Sequence, residues 1–423
     1  MYKKTIMENG LRLLTYPMPE SEAITAQVFF ATGSHFEDKS INGISHFLEH
    51  LFFKGSKEFP KPGQMHEEVD KVGGIHNAFT GEEITSYFIK ASHDNLDLAL
   101  NILSDALLNP LFPKEEINKE RTVILEEMKL YNDDPDSKVG LKFEELLYGD
   151  QPAGRPTVGQ EEVIRKLQQE DFFNYRKDHY HTENACVVVS GRIKDEELEE
   201  KVEEFFGDLA MGKAKSKPKV APPSSGPKVV VERRQLDQSK VIIGVPAYDL
   251  FDPRRFALGV LANALGGTAS SRLFRKIREE RGLAYSVYSY ASQATDTGVF
   301  LSFVGTEPNN TEQVIKIIIG EYKDIAERVL SEEELKRAKD NIIGRLGISL
   351  ETSDRWAGFL GTQEILEKKI MMPEEIVKNI RSVEAKEIQA VAQDIFKTDR
   401  MHLAVLGSFS EGIEDRFMNL LSA

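Results

Sequence analysis

Hydrophobic and polar positions along the chain predict strands and helices in mixed order. Residues 23–31 alternate in the manner of a half-buried strand, and residues 1–9 also resemble the start of a strand. A Gly73-Gly74 break separates this first strand from two further strand patterns and a helical one. The other elements predicted in the first half are strands at 75–79, 85–90 and 185–189 and helices at 95–108 and 115–131.

The second half repeats this outline, which indicates an internal duplication. Its strand and helix patterns lie at 241–245, 256–265, 284–291, 298–304, 314–325, 332–350 and 402–405. Residues 213–227 are rich in Lys, Pro and Ser and have no periodic apolar face, so they predict a linker. We therefore predict an α+β protein of two duplicated α/β-roll domains, at 1–212 and 228–423. Each would be a mainly antiparallel sheet with helices packed on one face.

Composition excludes several classes of protein. With 423 residues, 40% hydrophobic and 29% charged, the chain is of ordinary globular composition and long enough for two domains. It has no apolar run of roughly eighteen residues, and residues 1–9 lack the core of a signal peptide. A net charge of −15 without a basic stripe argues against nucleic-acid or membrane partners. Cys186 is the single cysteine, so we expect a reducing, cytoplasmic location.

Residues 46–50, His-Phe-Leu-Glu-His, carry the candidate chemistry. On a helix, which advances about 100° per residue, His46, Glu49 and His50 share one face. Two imidazoles can then bind one divalent ion while the carboxylate stands beside it as a base, which is what metal-assisted hydrolysis requires. Such a pattern also arises by chance on solvated helices. The surrounding Phe and Leu residues favour a buried helix, where these polar groups would need a metal or partners.

A catalytic zinc site needs a third protein ligand, which is expected from another segment. The acidic run at 119–128 offers Glu120, Glu126 and Glu127. Glu120 and Glu127 are seven residues apart, about two helical turns, and so face the same way. Taken alone, such a run more often lies on a solvated helix face. The apolar residues predicted to place part of this face in the core are Val123, Ile124 and Met128.

Four segments resemble the M16 metallopeptidases. They are the inverted motif at 46–50, the Glu-Arg-x-x-x-x-x-Glu run from Glu120, Asn-Ala-Phe-Thr-Gly-Glu-Glu-Ile-Thr-Ser-Tyr at 77–87, and Arg-Glu-Glu-Arg-Gly-Leu-Ala-Tyr-Ser at 278–286. The length and single linker resemble the half-length, processing-peptidase-like branch of that family. The resemblance implies a zinc-dependent endopeptidase.

This resemblance assigns roles to the metal-binding half of the site. The family's third zinc ligand lies about 77 positions after the second histidine, which selects Glu127 within the acidic run. One Zn²⁺ per chain would then be bound by His46, His50 and Glu127. Glu120 would orient a ligand, and Glu49 would be the general base for the attacking water and the later proton donor to the leaving amine.

The resemblance also implies how the substrate is bound. Arg278 and Tyr285 would reach across a closed chamber and stabilise the oxyanion. Without the resemblance, an exposed arginine and a core tyrosine would be the ordinary interpretation. Asn77 and Ala78 would lie on an edge strand to which a peptide adds by backbone pairing. Such binding reads the backbone more than the side chains, so broad specificity is expected, and enclosure should select short or unfolded polypeptides.

The zinc motif and the Arg/Tyr pair occur together in this chain, which bears on its assembly and on the alternative functions. Heterodimeric members of the branch divide the zinc motif and the Arg/Tyr pair between subunits, whereas both occur here, so a homodimer is expected. One alternative is a non-catalytic scaffold or peptide-binding subunit, and the intact ligands and base argue against it. Another is a zinc hydrolase of unrelated fold. The internal duplication argues against that. The second copy of the helix, at 256–265, lacks His and Glu, so the chemistry is expected in the first copy alone.

Overall fold

The structure is a computed structural model that describes residues 1–193, 195–222 and 226–422, so residues 223–225 of the expected linker lie outside it. The described residues form two compact units, and neither is continuous in sequence. One unit combines Met1–Met128, Arg155–Pro218 and Ile348–Ile370. The other combines Lys129–Gly154, Lys219–Gly347 and Met371–Ala423.

Both units are built on a sheet, and the α+β class is confirmed. The strands β1 to β11 are Lys3–Ile6, Arg12–Pro17, Ala23–Phe30, Ile75–Thr80, Thr85–Ser92, Ala185–Gly191, Lys228–Arg233, Ser239–Pro246, Ala284–Gln293, Gly298–Thr306 and His402–Gly407. The helices α1 to α15 are Ile44–Phe52, Gln64–Lys71, Leu96–Leu108, Lys114–Asp133, Pro135–Tyr148, Glu161–Ile164, Gln169–His179, Asp195–Phe206, Arg255–Gly266, Thr311–Glu327, Glu332–Ser349, Ser353–Leu366, Pro373–Ser382, Ala385–Ile395 and Ile413–Ser422. Among the described residues, no helix combines the length and apolarity needed to cross a bilayer.

The two sheets share one strand order, which confirms the duplication. The first runs β1-β2-β6-β3-β5-β4 and the second β7-β11-β8-β10-β9. In each sheet one pair is parallel, β2 with β6 and β7 with β11, and the other pairs are antiparallel. Strand β4 therefore lies at one edge of the first sheet, and β9 lies at the corresponding edge of the second.

The first sheet is covered on both faces, whereas the sequence predicted helices on one face only. Ile24, Val28 and Phe30 of β3 pack into a core with α1, α3 and α8. The opposite face of β3 packs against α12, where a Cβ at Gly361 would overlap the ring of Phe29. The prediction missed this helix because α12 comes from a segment some three hundred residues later in the chain.

The second sheet also gains a helix from the other half of the sequence. Helix α5 packs on β8 and β11, and its Phe143 lies against Gly244, where a Cβ would meet the ring. The main core of this unit lies on the other face, with α9, α10 and α14. The two halves thus exchange one helix each, so the compact units do not coincide with a linear division at the linker.

Candidate metal centre and active site

Helix α1 carries three ionisable side chains, and its other residues are apolar except for the buried Ser45. Five of its large apolar residues are fully buried, with 0% exposure: Ile44, Phe47, Leu48, Leu51 and Phe52. This packing fixes the helix against the sheet, so that His46, Glu49 and His50 project from its remaining face. Their side chains are only partly buried, which leaves the face open to a ligand.

The first turn of α1 is held by a buried carboxylate that the sequence did not reveal. Glu37 accepts hydrogen bonds from the backbone amides of Gly43 (2.6 Å) and Ser45 (2.8 Å) and from Nδ2 of Asn42 (3.0 Å). Burial raises the pKa of Glu37 to about 7, against the lowering effect of these bonds. A carboxylate at a helix N-terminus satisfies otherwise unpaired amides and the positive end of the helix dipole. Glu37 therefore positions the helix that carries the candidate ligands.

His46, His50 and Glu127 converge. Oε2 of Glu127 lies 3.6 Å from Nε2 of His46 and 3.7 Å from Nε2 of His50. The three potential ligand atoms lie within 4.8 Å of one another. Two ligand atoms about 2.1 Å from a tetrahedral zinc ion are about 3.4 Å apart. The spacing and the two-nitrogen, one-oxygen donor set therefore fit Zn²⁺.

The two histidines have lone pairs available for a metal. Burial, followed by the proximity of His50, lowers the pKa of His46 to about 4, so the ring is neutral near pH 7. Nδ1 of His50 lies 3.1 Å from Oε2 of Glu120. An ionised carboxylate can only accept a hydrogen bond, so His50 carries its proton on Nδ1 and leaves Nε2 free to face Glu127.

Glu120 is itself fixed by a cation. Its Oε1 lies 2.7 Å from Nζ of Lys54. Burial acts to raise the pKa of Glu120, but the hydrogen bonds from His50 and Lys54 outweigh it, and the pKa is lowered. Glu120 therefore stays charged and holds the His50 ring in one orientation.

Helix α4 supplies Glu120 and Glu127 from one face, as their spacing predicted. Ile124 is fully buried between them and Met128 packs against the core. The expectation that Val123 also lies in the core is wrong, because it is 49% exposed. Val123 is about 100° around the helix from Ile124, which places it outside the buried stripe.

Glu49 lies beside the candidate ligands His50 and Glu127 in a partly buried environment. Burial raises its pKa, while hydrogen bonds from Thr80 and the proximity of His50 lower it and Glu127 raises it further. Thr80 is the last residue of β4. The contact therefore links the candidate base to the edge of the first sheet.

Asn77 and Ala78 lie on β4, at the open edge of the sheet. The backbone amide of Ala78 bonds to Oδ1 of Asn77 at 2.9 Å, and the amide of Thr80 bonds to Glu49. Strand β4 pairs with β5 on one side only, so its other side can offer backbone groups to an added strand.

Arg278 and Tyr285 contact each other in the second unit. Nη1 of Arg278 donates to the carbonyl oxygen of Tyr285 at 2.8 Å, and its guanidinium lies 4.5 Å from the centre of the Tyr285 ring. Tyr285 is 71% exposed, so it is not a core residue. The pair forms a pre-arranged cation and phenol on the surface of this unit.

Known proteins resemble the chain over nearly its whole length. The family described as Insulinase (Peptidase family M16) matches residues 12–161, and the Peptidase M16 inactive domain matches residues 166–342. A protein named as an uncharacterized zinc protease from Bacillus subtilis is 32% identical in sequence, and the alignment spans 94% of this chain and 97% of the relative. A protein with a similar name from Rickettsia felis is 35% identical, and the alignment spans 93% of this chain and 94% of the relative.

A solved structure shares the fold. The crystal structure of a protease from Helicobacter pylori superposes with a TM-score of 0.90 at 25% identity, covering 96% of this chain and 99% of that one. The chain belongs to the M16 family of peptidases.

Proposed function

We propose that the protein is a zinc-dependent endopeptidase that binds one Zn²⁺ per chain through His46, His50 and Glu127. The convergence of these three side chains beside Glu49 carries the proposal. The zinc proteases among the relatives support it. Zn²⁺ bound there would polarise a water molecule and the substrate carbonyl.

Glu49 is proposed to move the proton. It accepts a proton from the attacking water, whose oxygen forms a bond to the carbonyl carbon of the scissile peptide. As the carbon–nitrogen bond breaks, Glu49 passes that proton to the departing amine. Its hydrogen bonds with Thr80 support this role, because they hold the carboxylate in place on the ligand-bearing face of α1.

The substrate is proposed to be an extended peptide. The open edge of β4 supports this, since an added strand would pair with the backbone around Asn77 and Ala78. Backbone pairing reads few side chains and requires a chain that is not already folded. We therefore propose broad specificity for short or unfolded peptides in a cytoplasmic setting.

Arg278 and Tyr285 are proposed to bind substrate and to stabilise the oxyanion, as the family resemblance implies. Their mutual contact supports this, because an arginine held over a tyrosine loses little conformational freedom when it binds an anion.

We also propose a homodimer, because the chain carries both the zinc motif and the Arg278–Tyr285 pair. Sedimentation equilibrium would reject the dimer if it gave the mass of a single chain, 47.7 kDa.

Paired substitutions on α4 test the zinc ligand. Glu127→Ala removes a proposed ligand, whereas Glu126→Ala removes an exposed neighbouring acid. We expect Glu127→Ala to lose bound zinc and cleavage of an unstructured peptide, and Glu126→Ala to retain both. Metal analysis after dialysis provides the first readout. Equal zinc content and cleavage in the two variants would reject Glu127 as ligand. Absence of cleavage by the zinc-loaded wild-type protein would instead favour a non-catalytic peptide-binding role.

A further inference from the structure

A second pair of histidines faces each other outside the candidate zinc centre. His66 lies on α2 and His76 on β4, and both are partly buried. Nδ1 of His66 contacts Nε2 of His76 as a hydrogen-bond partner. The ring centres are 4.5 Å apart, close to the 4.8 Å that separates the rings of His46 and His50. The pair thus has the ring spacing of the candidate zinc ligands.

The hydrogen bond between these rings holds one proton at most. At least one of the two facing nitrogens therefore offers a lone pair, and both do so when that proton leaves. A metal ion displaces such a proton into solvent when it binds imidazole. Two nitrogens on one tetrahedral ion are about 3.4 Å apart, a separation that small side-chain rotations of the two rings allow.

The groups around His66 and His76 favour binding of a cation between the two rings. Asp70, one turn after His66 on α2, acts to raise the pKa of both histidines, which places its negative charge close to each. Burial is the largest effect and lowers the pKa of both, so the rings are neutral near pH 7. Lys54 also lowers the pKa of His66, but its charge is paired with Glu120 at 2.7 Å, which acts in the opposite direction. Phe53 contacts both rings, with centres 6.2 and 5.6 Å away. The pair therefore has an apolar neighbour in Phe53 and an acidic, exposed neighbour in Asp70.

We propose that His66 and His76 form a second, weaker binding site for a late first-row divalent cation such as Zn²⁺. Imidazole nitrogen is a ligand that these ions prefer. Among the described residues, no third His, Cys, Asp or Glu ligand completes a set with this pair within 4.8 Å. Water molecules would therefore complete the coordination, with the charge of Asp70 acting from farther away, and the site binds less tightly than one with three protein ligands.

The bound ion would link α2 to the edge strand of the sheet. Because β4 is otherwise paired on one side only, a metal between His66 and His76 would fix it from its inner face. Binding to the folded state alone raises the temperature of unfolding. The site is therefore a device that stabilises this edge when zinc is plentiful.

A Zn²⁺ titration of the full-length protein, first loaded with one equivalent, tests the site. Equilibrium dialysis with metal analysis should show a second equivalent bound, and the melting temperature should rise with added Zn²⁺. His66→Ala, on a solvent-facing helix, and His76→Ala should each lose both effects. His93→Ala is the matched control, because His93 pairs with Asp94 and Glu22 elsewhere, and it should retain both.

The same titration in the Glu127→Ala background separates this site from the catalytic one. The ion bound by His66 and His76 should still be taken up there, whatever happens to peptide cleavage. A second equivalent that persists in His66→Ala would overturn the proposal. So would a wild-type protein that takes up no second ion at millimolar Zn²⁺, which would make the contact a hydrogen bond only.

Discussion

His50 lies between two carboxylates, each of which contacts a different nitrogen of its ring. Glu127 faces its Nε2, where a metal would bind, and Glu120 accepts from its Nδ1. Lys54 in turn neutralises Glu120. This chain of contacts fixes both the tautomer and the direction of one candidate ligand, so the geometry of the centre depends on residues that never touch the metal.

Replacing Glu120 tests that dependence. Glu120→Ala should lower zinc affinity by about 10- to 100-fold, because His50 would lose the partner that orients its ring. Competition with a chromogenic chelator measures the affinity. Glu115→Ala, an exposed acid in the first turn of the same helix, should leave it unchanged. Equal affinities in the two variants would show that His50 is oriented by something else.

The sequence predicts the candidate ligands better than it predicts the residues that position them. His46, Glu49 and His50 follow from one helical pattern, and Glu127 follows from the family's spacing. Lys54, Thr80 and Glu37 were not predicted, because their contacts depend on tertiary packing. Only Glu37 had a possible signal, an acid shortly before a helix whose N-cap is a glycine.

At the scale of elements, α1 is held at its first turn as well as along its apolar face. Gly43 precedes the helix with a φ of 94°, a left-handed conformation that favours glycine, and it offers no side chain for capping. Glu37 supplies the missing acceptor from six residues earlier. The register of the ligand-bearing face therefore depends on a residue in the preceding loop.

Removing that acceptor should destabilise the first unit. Glu37→Ala leaves the amides of Gly43 and Ser45 without a partner, so the free energy of unfolding should fall by about 1–2 kcal/mol. Urea denaturation monitored by circular dichroism measures it. Asp38→Ala removes an exposed acid next to it and should change little. If both variants unfold at the same urea concentration as wild type, Glu37 does not hold the helix.

The positions of strands and helices along the chain were largely predictable from local patterns. Which helices pack on the two faces of each sheet was not. The apolar run Val187–Val189 in β6 is typical of a strand buried on both faces, and β6 is fully buried. We did not predict a second layer from this run, and the run does not identify the segment that supplies it. Helix α12 has a weak periodic pattern and lies far along the chain, so sequence alone could not place it on β3 and β6.

At the scale of the whole molecule, the duplicated sheets differ in chemistry. Helix α9 occupies the position of α1 but has no metal-binding side chain, and its unit carries Arg278 and Tyr285 instead. The exchange of α5 and α12 ties each unit to both halves of the sequence. Neither half is therefore expected to fold fully when it is expressed alone.

Acid should destabilise the molecule through buried histidines. His402 in β11 is 1% exposed, and burial together with Lys228 lowers its pKa to about 4. The unfolded chain, with a histidine pKa of about 6.5, binds the proton more readily, so stability is lost as pH falls from about 6.5 to about 4. His402→Phe should weaken this dependence in urea midpoints measured across that range. Identical pH dependence in the two proteins would contradict the assignment.

The central claim is that Glu49 performs proton transfer beside a zinc ion held by other residues. Glu49→Gln keeps the size of the side chain and removes its basicity. We predict that the variant binds as much zinc as wild type while cleavage of an unstructured peptide falls by about 10²- to 10⁴-fold. Cleavage by the zinc-loaded Glu49→Gln protein at the wild-type rate would contradict the account.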